Sequence, residues 1–371
     1  MSKMKFVFLH LFRYNAIEVN GVKKRVLKII GMVVLSLVVV VAGVLGFYTL
    51  QEYRPKEIEE ITPVSQGKMI QPNQSLSILT YNTGYAGLDQ SQDFFMDGGT
   101  KVNPESQEKV IENMKGILDT IKDNTSDVYF LQEVDKDSKR SFHINQIDEY
   151  SSSLKKQAMY APNYKCVYVP FPLPTLGKMD SGIVTMSDYQ VSSASRISLP
   201  ESFSWPIKTA NLKRCMLETR LPILGSDKEL VLINFHLEAY DSGEGKIAQS
   251  RMLAEKLQEE YAKGNYVIAG GDFNQTFEGV TRYPLIHTEN WKPGQISKDD
   301  LPDHFDFAYD DTYPTCRLLN KAYTGDYQTS QVYVIDGFIV SDNIEVEKVE
   351  TINTDFVYSD HQPVKLNVKL K

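Results

Sequence analysis

Five acidic or amide side chains fall where the sequence pattern ends a strand: Asn82, Glu133, Asp272, Asn274 and Asp360. Two histidines, His236 and His361, stand among them. Oxygen-rich sets of this kind suit magnesium or manganese rather than zinc. No Cys/His spacing in the chain suggests structural zinc. Asp336 sits in the middle of an apolar run, 332–340, where a carboxylate is expensive to bury without a partner. A histidine next to a carboxylate, together with a partnered buried Asp, suggests an imidazole oriented to move a proton. The combination fits metal-assisted hydrolysis of a phosphate ester.

The elements that must hold these residues are legible around them. Residues 266–269 are a short apolar run closed by Gly270 and Gly271, too short for a helix and suited to a buried strand. Glycines there permit a tight turn or a close backbone approach. Asp272 and Asn274, two apart in extended chain, point the same way at the strand's C-terminal end. Residues 76–82 predict a strand ending at Asn82, and 128–131 another with Glu133 just past it. As a strand, 229–238 puts Leu232, Asn234, His236 and Glu238 on one face and Val231, Ile233, Phe235 and Leu237 on the other. Residues 358–363 precede a last strand, 364–370. Helical spacing appears over 104–122, where Asn103 before Pro104 suits a cap, and over 248–261. Strands and helices interleave, which predicts an α/β or α+β fold in one domain. A single Asp or Asn after a strand is ordinary turn chemistry; its recurrence at several strand ends argues for a site.

With 42% hydrophobic and 24% charged residues in 371, the chain has the composition of an ordinary globular protein. Three widely spaced cysteines make a disulfide framework improbable. Residues 29–50 are uncharged and long enough to span a bilayer, where about 20 residues are needed. The basic residues Lys23, Lys24 and Arg25 precede that span and Glu52, Glu57, Glu59 and Glu60 follow it. The positive-inside rule then places 1–28 in the cytoplasm as a basic tail and the body outside, on a single-pass, uncleaved anchor in the cell membrane. Residues 51–74, polar and broken by prolines, read as a linker, and the folded body is expected over 75–371. The first thirty residues carry seven Lys or Arg and one Glu, so the total of −8 leaves −14 for residues 51–371. An acidic body repels a polyanion at long range, although a bound divalent cation reverses the local field. Arg214 and Lys208 could contact phosphate but read by default as surface or structural charges, and His143, His287 and His304 match no motif.

The motifs Thr80-Tyr81-Asn82, Leu131-Gln132-Glu133-Val134, Asn234-Phe235-His236, Gly271-Asp272-Phe273-Asn274, Ile335-Asp336 and Ser359-Asp360-His361 occur in that order. At these residues the sequence resembles the endonuclease/exonuclease/phosphatase superfamily over about 76–371. The resemblance implies an α/β four-layer sandwich, two packed β-sheets with helices outside and the site at one edge. It implies that Glu133 binds a Mg²⁺ or Mn²⁺ ion directly, with Asn82 and Asp360 helping. His361 would activate water or orient the phosphate, held by Asp336. Asp272 and Asn274 would position the nucleophile and phosphoryl group, and His236 would bind a phosphate oxygen or protonate the leaving group. Whether Asp272 or His361 takes the proton stays open. The expected activity is a divalent-metal-dependent hydrolase of phosphate esters, of phosphodiesterase or nuclease type, displayed outside the membrane. A phosphatase directed at lipid or soluble phosphates, or an inactive binding protein of the same fold, is the alternative. Nucleic acid, phospholipid and small phosphate esters all fit as substrates. Specificity is expected in the irregular segments 84–103, 170–180 and 279–330.

Overall fold

Uninterrupted apolar residues without a polar face favour a helix that stays apolar all round, and α1 runs over Ser2–Gln51. Its Lys23–Gln51 part, which contains an 18-residue window of mean hydropathy 2.9, is long and apolar enough to cross a membrane. The computed structural model describes residues 2–63, 67–286 and 289–371, with 2–22 as backbone only. His287 and residues 64–66 of the expected linker lie outside the described residues. The second unit is the body, Tyr53–Lys371.

The body is built on two sheets. Its strands are β1 (Ile58–Ile61), β2 (Ser75–Asn82), β3 (Val128–Asp135), β4 (Gln157–Val169), β5 (Gly177–Ser187), β6 (Ser193–Ser198) and β7 (Cys215–Pro222). They continue with β8 (Glu229–His236), β9 (Tyr266–Asp272), β10 (Phe305–Ala308), β11 (Asp336–Ser341), β12 (Ile344–Thr351) and β13 (Val364–Leu370). One sheet runs β1-β6-β7-β8-β9-β11-β10 and the other β12-β13-β2-β3-β5-β4. Each contains one parallel pair, β8 with β9 and β2 with β3, and antiparallel neighbours elsewhere. A parallel pair needs a crossover. Helix α2 (Gln107–Asp123) supplies it between β2 and β3, and α4 (Glu244–Ala262) between β8 and β9. A shorter helix, α3 (Gln146–Leu154), lies beyond β3.

Period-2 alternation decides the layers. Leu217, Leu232, Ile268 and Phe338 of the first sheet meet Ile78, Phe130, Ile183 and Leu366 of the second in the central core. The opposite faces take helices: Val231, Ile233, Phe235 and Val267 pack under Leu253 and Leu257 of α4. Leu79, Tyr81, Tyr129 and Leu131 pack under Val110, Ile117 and Ile121 of α2. The result is the expected four-layer α/β sandwich.

Polar side chains also join the sheets. Asn234 of β8 accepts from Gln132 Nε2 at 2.8 Å and donates to the carbonyls of Val184 at 2.9 Å and Leu131 at 3.3 Å. All of these groups are buried, so removing the amide strands a donor and two carbonyls. Asn234→Ala is expected to destabilise the body by about 2–3 kcal/mol, measured by urea unfolding. The Asn-Phe-His motif therefore holds one structural and one site residue.

Four expectations need correction. The stretch 51–74 is not all linker: Ile58–Ile61 pairs antiparallel with β6, Lys68 and Ile70 form isolated bridges, and Ile70 is fully buried. Helix α2 starts at Gln107, because Ser106, not Asn103, accepts the capping bond from Lys109 N. The run 332–340 is broken: Val332–Tyr333 pairs with Cys316–Arg317, and Asp336 opens β11 instead of lying mid-strand. Glu133 lies inside β3, not past it.

Candidate active site at the strand ends

Both parallel pairs point their C-terminal ends to one place. Asn82 ends β2, Glu133 lies near the end of β3, His236 ends β8 and Asp272 ends β9. His236 and Asp336 are both register partners of Asp272, one on each side. Asp360 and His361 arrive on the loop that enters β13. Thus all eight residues singled out in the sequence reach one region, and Glu133, His236, Asp272, Asn274, Asp360 and His361 line a single cavity of about 600 Å³.

Local backbone explains how. A bulge between Leu131 and Val134 breaks the ladder with β5 and turns Glu133 to φ +53°. A non-glycine residue there is strained and persists only where its surroundings enforce it. Gly271 is required by contact: a Cβ on it would lie 2.0 Å from the Phe235 carbonyl oxygen. Asn274, at φ +51°, donates from Nδ2 to the Leu237 carbonyl at 2.8 Å, and its backbone N–H donates to Asp272 Oδ1 at 2.8 Å. Asn274 therefore fixes the Asp272 carboxylate.

Asp272 Oδ2 is the point of convergence. Asn82 Nδ2 donates to it at 3.0 Å, His236 Nε2 lies 3.3 Å away and His361 Nε2 3.7 Å away. On its other side His361 Nδ1 donates to Asp336 Oδ2 at 2.9 Å. Burial alone would strip the proton from His361, but Asp336, Cys316 and Asp272 outweigh it and hold its pKa well above the ordinary value. His236 moves the opposite way: burial, then the Arg214 cation and His361, keep its imidazole neutral. Burial pushes Asp272 up to about 7 against the pull of His361. Environment thus separates two histidines of one type into a charged and a neutral one.

Asp272, Asp336 and His361 bring ligand atoms within 4.8 Å of one another. His361 Nδ1 is already engaged by Asp336 Oδ2, which leaves His361 Nε2 and the remaining carboxylate oxygens of this group as its available ligand atoms. A better cation site is offered by Glu133 and Asp360. Glu133 accepts one side-chain bond, from Asn82 Nδ2 at 3.3 Å, and Asp360 one long bond, from Ser359 Oγ at 3.5 Å. Burial pushes Asp360 up to about 7, with the Glu133 charge adding to it against His361. Gly84 leaves room beside them: a Cβ there would sit 2.8 Å from Asp360 Oδ1. Two under-coordinated hard carboxylates suit a magnesium-type ion. Asn82 faces Glu133 and Asp272. Its oxygen is taken by the Gly84 N–H at 3.0 Å, and its nitrogen faces the carboxylates, so it orients them as a donor.

Sequence reasoning passed over Arg214. It is buried, lines the cavity, and donates only a 3.4 Å bond from Nη1 to the His236 carbonyl. Among the described residues its Nε has no hydrogen-bond partner and no carboxylate pairs with it. A buried unpaired guanidinium is costly unless an anion meets it. Arg140 is held by both oxygens of Asp135, and Arg317, whose Nε is likewise unpartnered among the described residues, donates to the carbonyls of Asp89, Gln92 and Lys321. Nothing in the sequence around Arg214 distinguishes it, since a basic residue before an apolar strand is commonplace.

No protein-family model and no curated protein matches the sequence. Solved structures do resemble the fold. An endonuclease/exonuclease/phosphatase from Beutenbergia cavernae aligns over 80% of this chain and 72% of its own, at 16% identity and TM-score 0.54. Another from Bacteroides vulgatus aligns over 80% of this chain and 100% of its own, at 14% identity and TM-score 0.53. A functionally unknown conserved protein from Enterococcus faecalis covers the same shares at 16% identity and TM-score 0.52. The fold is that of the endonuclease/exonuclease/phosphatase superfamily, as the sequence motifs indicated.

Proposed function

We propose that the protein is a divalent-metal-dependent phosphoester hydrolase, of phosphodiesterase type, held outside the cell membrane by α1 with its basic N-terminus in the cytoplasm. The observation that carries this reading is the convergence of Asn82, His236 and His361 on Asp272 Oδ2, with Asp336 behind His361. A fold used only for binding has no need of that arrangement.

Asp272 is the base in this reading. Its Oδ2 is central and Asn274 fixes its other oxygen, so it takes a proton from water as the water oxygen bonds to phosphorus. The ester P–O bond breaks, the leaving alkoxide takes a proton from solvent, and Asp272 returns its own to solvent. Charged His361 orients and steadies a phosphoryl oxygen, and Asp336 keeps it charged and aimed. Neutral His236 and cationic Arg214 hold the remaining phosphoryl oxygens. Glu133 and Asp360 would hold Mg²⁺ or Mn²⁺, with Asn82 aligning Glu133. When bound, the ion supplies Lewis-acid polarisation of the phosphoryl group and neutralises developing charge.

The test uses the full-length protein in detergent, stripped of metal by a chelator. Hydrolysis of bis-p-nitrophenyl phosphate should appear on adding Mg²⁺ or Mn²⁺ and vanish in His361→Ala. Metal-independent turnover, or turnover surviving in that variant, would defeat the reading. Separately, Glu133→Gln should weaken Mn²⁺ binding by about 10–100-fold in calorimetric titration. Unchanged Mn²⁺ affinity would take Glu133 out of the cation site.

A further inference from the structure

The cavity at the strand ends has two chemically different parts. The part already described carries the charges. The remainder includes Leu88, Phe94, Phe95, Val169, Leu176 and Leu319, all apolar. Phe94 and Phe95 pack ring to edge at 4.7 Å, and Phe95 meets Phe171 at 6.0 Å. Three phenylalanines therefore lead from the partly buried wall to the surface. A phosphate ester with a small polar leaving group, or a nucleotide chain, would leave this wall facing water. A hydrocarbon chain attached to the phosphate would cover it.

The mouth of the cavity continues the same chemistry. Phe171 is 69% exposed and Ile207 61%, and both line the cavity. Leu173 is 83% exposed and Trp205 53%, each two residues from one of them. Large apolar side chains gathered at one opening mark a surface that works against an apolar phase. The first segment is rich in proline, with Pro170, Pro172 and Pro174, and Pro206 stands between Trp205 and Ile207 in the second, which limits the entropy lost in presenting these side chains. The same chain carries a helix able to cross a membrane.

Resting on the hydrolase reading, we propose that the substrate is a membrane phospholipid. Its phosphate meets Arg214, His236 and His361, its hydrocarbon lies along Phe94 and Phe95, and Phe171, Leu173, Trp205 and Ile207 seat the domain on the bilayer. Charge narrows the class further. Residues 51–371 carry a net −14, the total of −8 less the +6 of the first thirty residues, so an anionic lipid surface repels the body. A zwitterionic phospholipid such as phosphatidylcholine does not. Nucleic acid is disfavoured by the same charge and by the engagement of Arg140 and Arg317 within the protein.

The chain's two tryptophans make the docking directly measurable. In full-length Trp291→Phe, Trp205 is the sole tryptophan. Reconstituted into phosphatidylcholine vesicles with brominated acyl chains, it should lose at least about half of the fluorescence seen with ordinary acyl chains, because a residue seated in the bilayer meets the quencher. Adding Phe171→Ser, Leu173→Ser and Ile207→Ser, all exposed, should abolish the quenching and raise KM for phosphatidylcholine by about tenfold or more. Equal fluorescence in brominated and ordinary vesicles would overturn the docking. Equal kcat/KM for phosphatidylcholine and glycerophosphocholine, which shares the phosphodiester and lacks the chains, would overturn the lipid assignment. Loss of turnover on every phosphate ester would instead overturn the hydrolase reading, with the quenching result still deciding the docking.

Discussion

Asp272→Asn is expected to lower kcat for a phosphodiester by about 10²–10⁴-fold, the range ascribed to a positioned proton acceptor, and to leave KM within about threefold. The substitution is nearly isosteric. The Asn274 N–H and Asn82 Nδ2 that now donate to the two oxygens would meet an amide, which accepts at one atom only. Some stability is lost, so the kinetics are to be read on protein whose thermal transition remains cooperative. If kcat falls only a few-fold, the proton goes elsewhere, and His361 becomes the candidate. The comparison is informative because the two groups lie 3.7 Å apart and are held by different elements, Asp272 by β9 and His361 by the loop before β13.

Asp336→Asn tests the other side of His361 and should reduce kcat by about 10²-fold or more with little change in affinity. Asp336 touches no substrate in this reading; it acts through the 2.9 Å bond to His361 Nδ1. Its backbone is pinned by the Thr315 hydroxyl, which accepts from the Asp336 N–H at 3.0 Å. The carboxylate can therefore be neutralised without moving the strand. A structural role alone would leave the imidazole's titration untouched. In the variant, the NMR signals of His361 should report an imidazole that loses its proton at lower pH than in the parent, because the carboxylate that outweighs burial is gone. A raised KM with normal kcat would remove Asp336 from the chemistry.

Much of this site could be read from sequence because strand ends announce themselves. Apolar runs stop at glycine or at a polar residue, and Asn82 closes a strand as the pattern predicts, whereas β8 stops at His236, short of the expected 238, and β9 runs on through Gly270 and Gly271 to Asp272. Less accessible were the features set by partners distant in sequence. The Ile58-Glu59-Glu60-Ile61 segment looks like polar linker because an edge strand exposes one side, and its partner β6 lies far along the chain. The bulge at Glu133 depends on register with β5, which no local pattern encodes. Which end of the Asn82 amide faces the carboxylates depends on three other strands. Arg214 carried no signal, since its burial and lack of a partner exist only once the cavity has formed. The exposed apolar mouth was hidden for a related reason: Pro170 to Pro174 reads as ordinary loop until Phe171 and Ile207 are seen lining one opening.

Strand β13 has a consequence for when the protein can act. It fills the slot between β12 and β2, and the loop that leads into it carries Asp360 and His361. A chain still being synthesised, complete through β12, would have Asp272, Asp336, Glu133 and Asn82 already made. It would lack the His361 imidazole, one of the two carboxylates proposed to hold a cation and the strand that covers the flank of β2. Translation delivers the N-terminal part first, so the candidate site stays incomplete until Asp360 and His361 have been made. Completing the candidate site and closing the second sheet are then the same event.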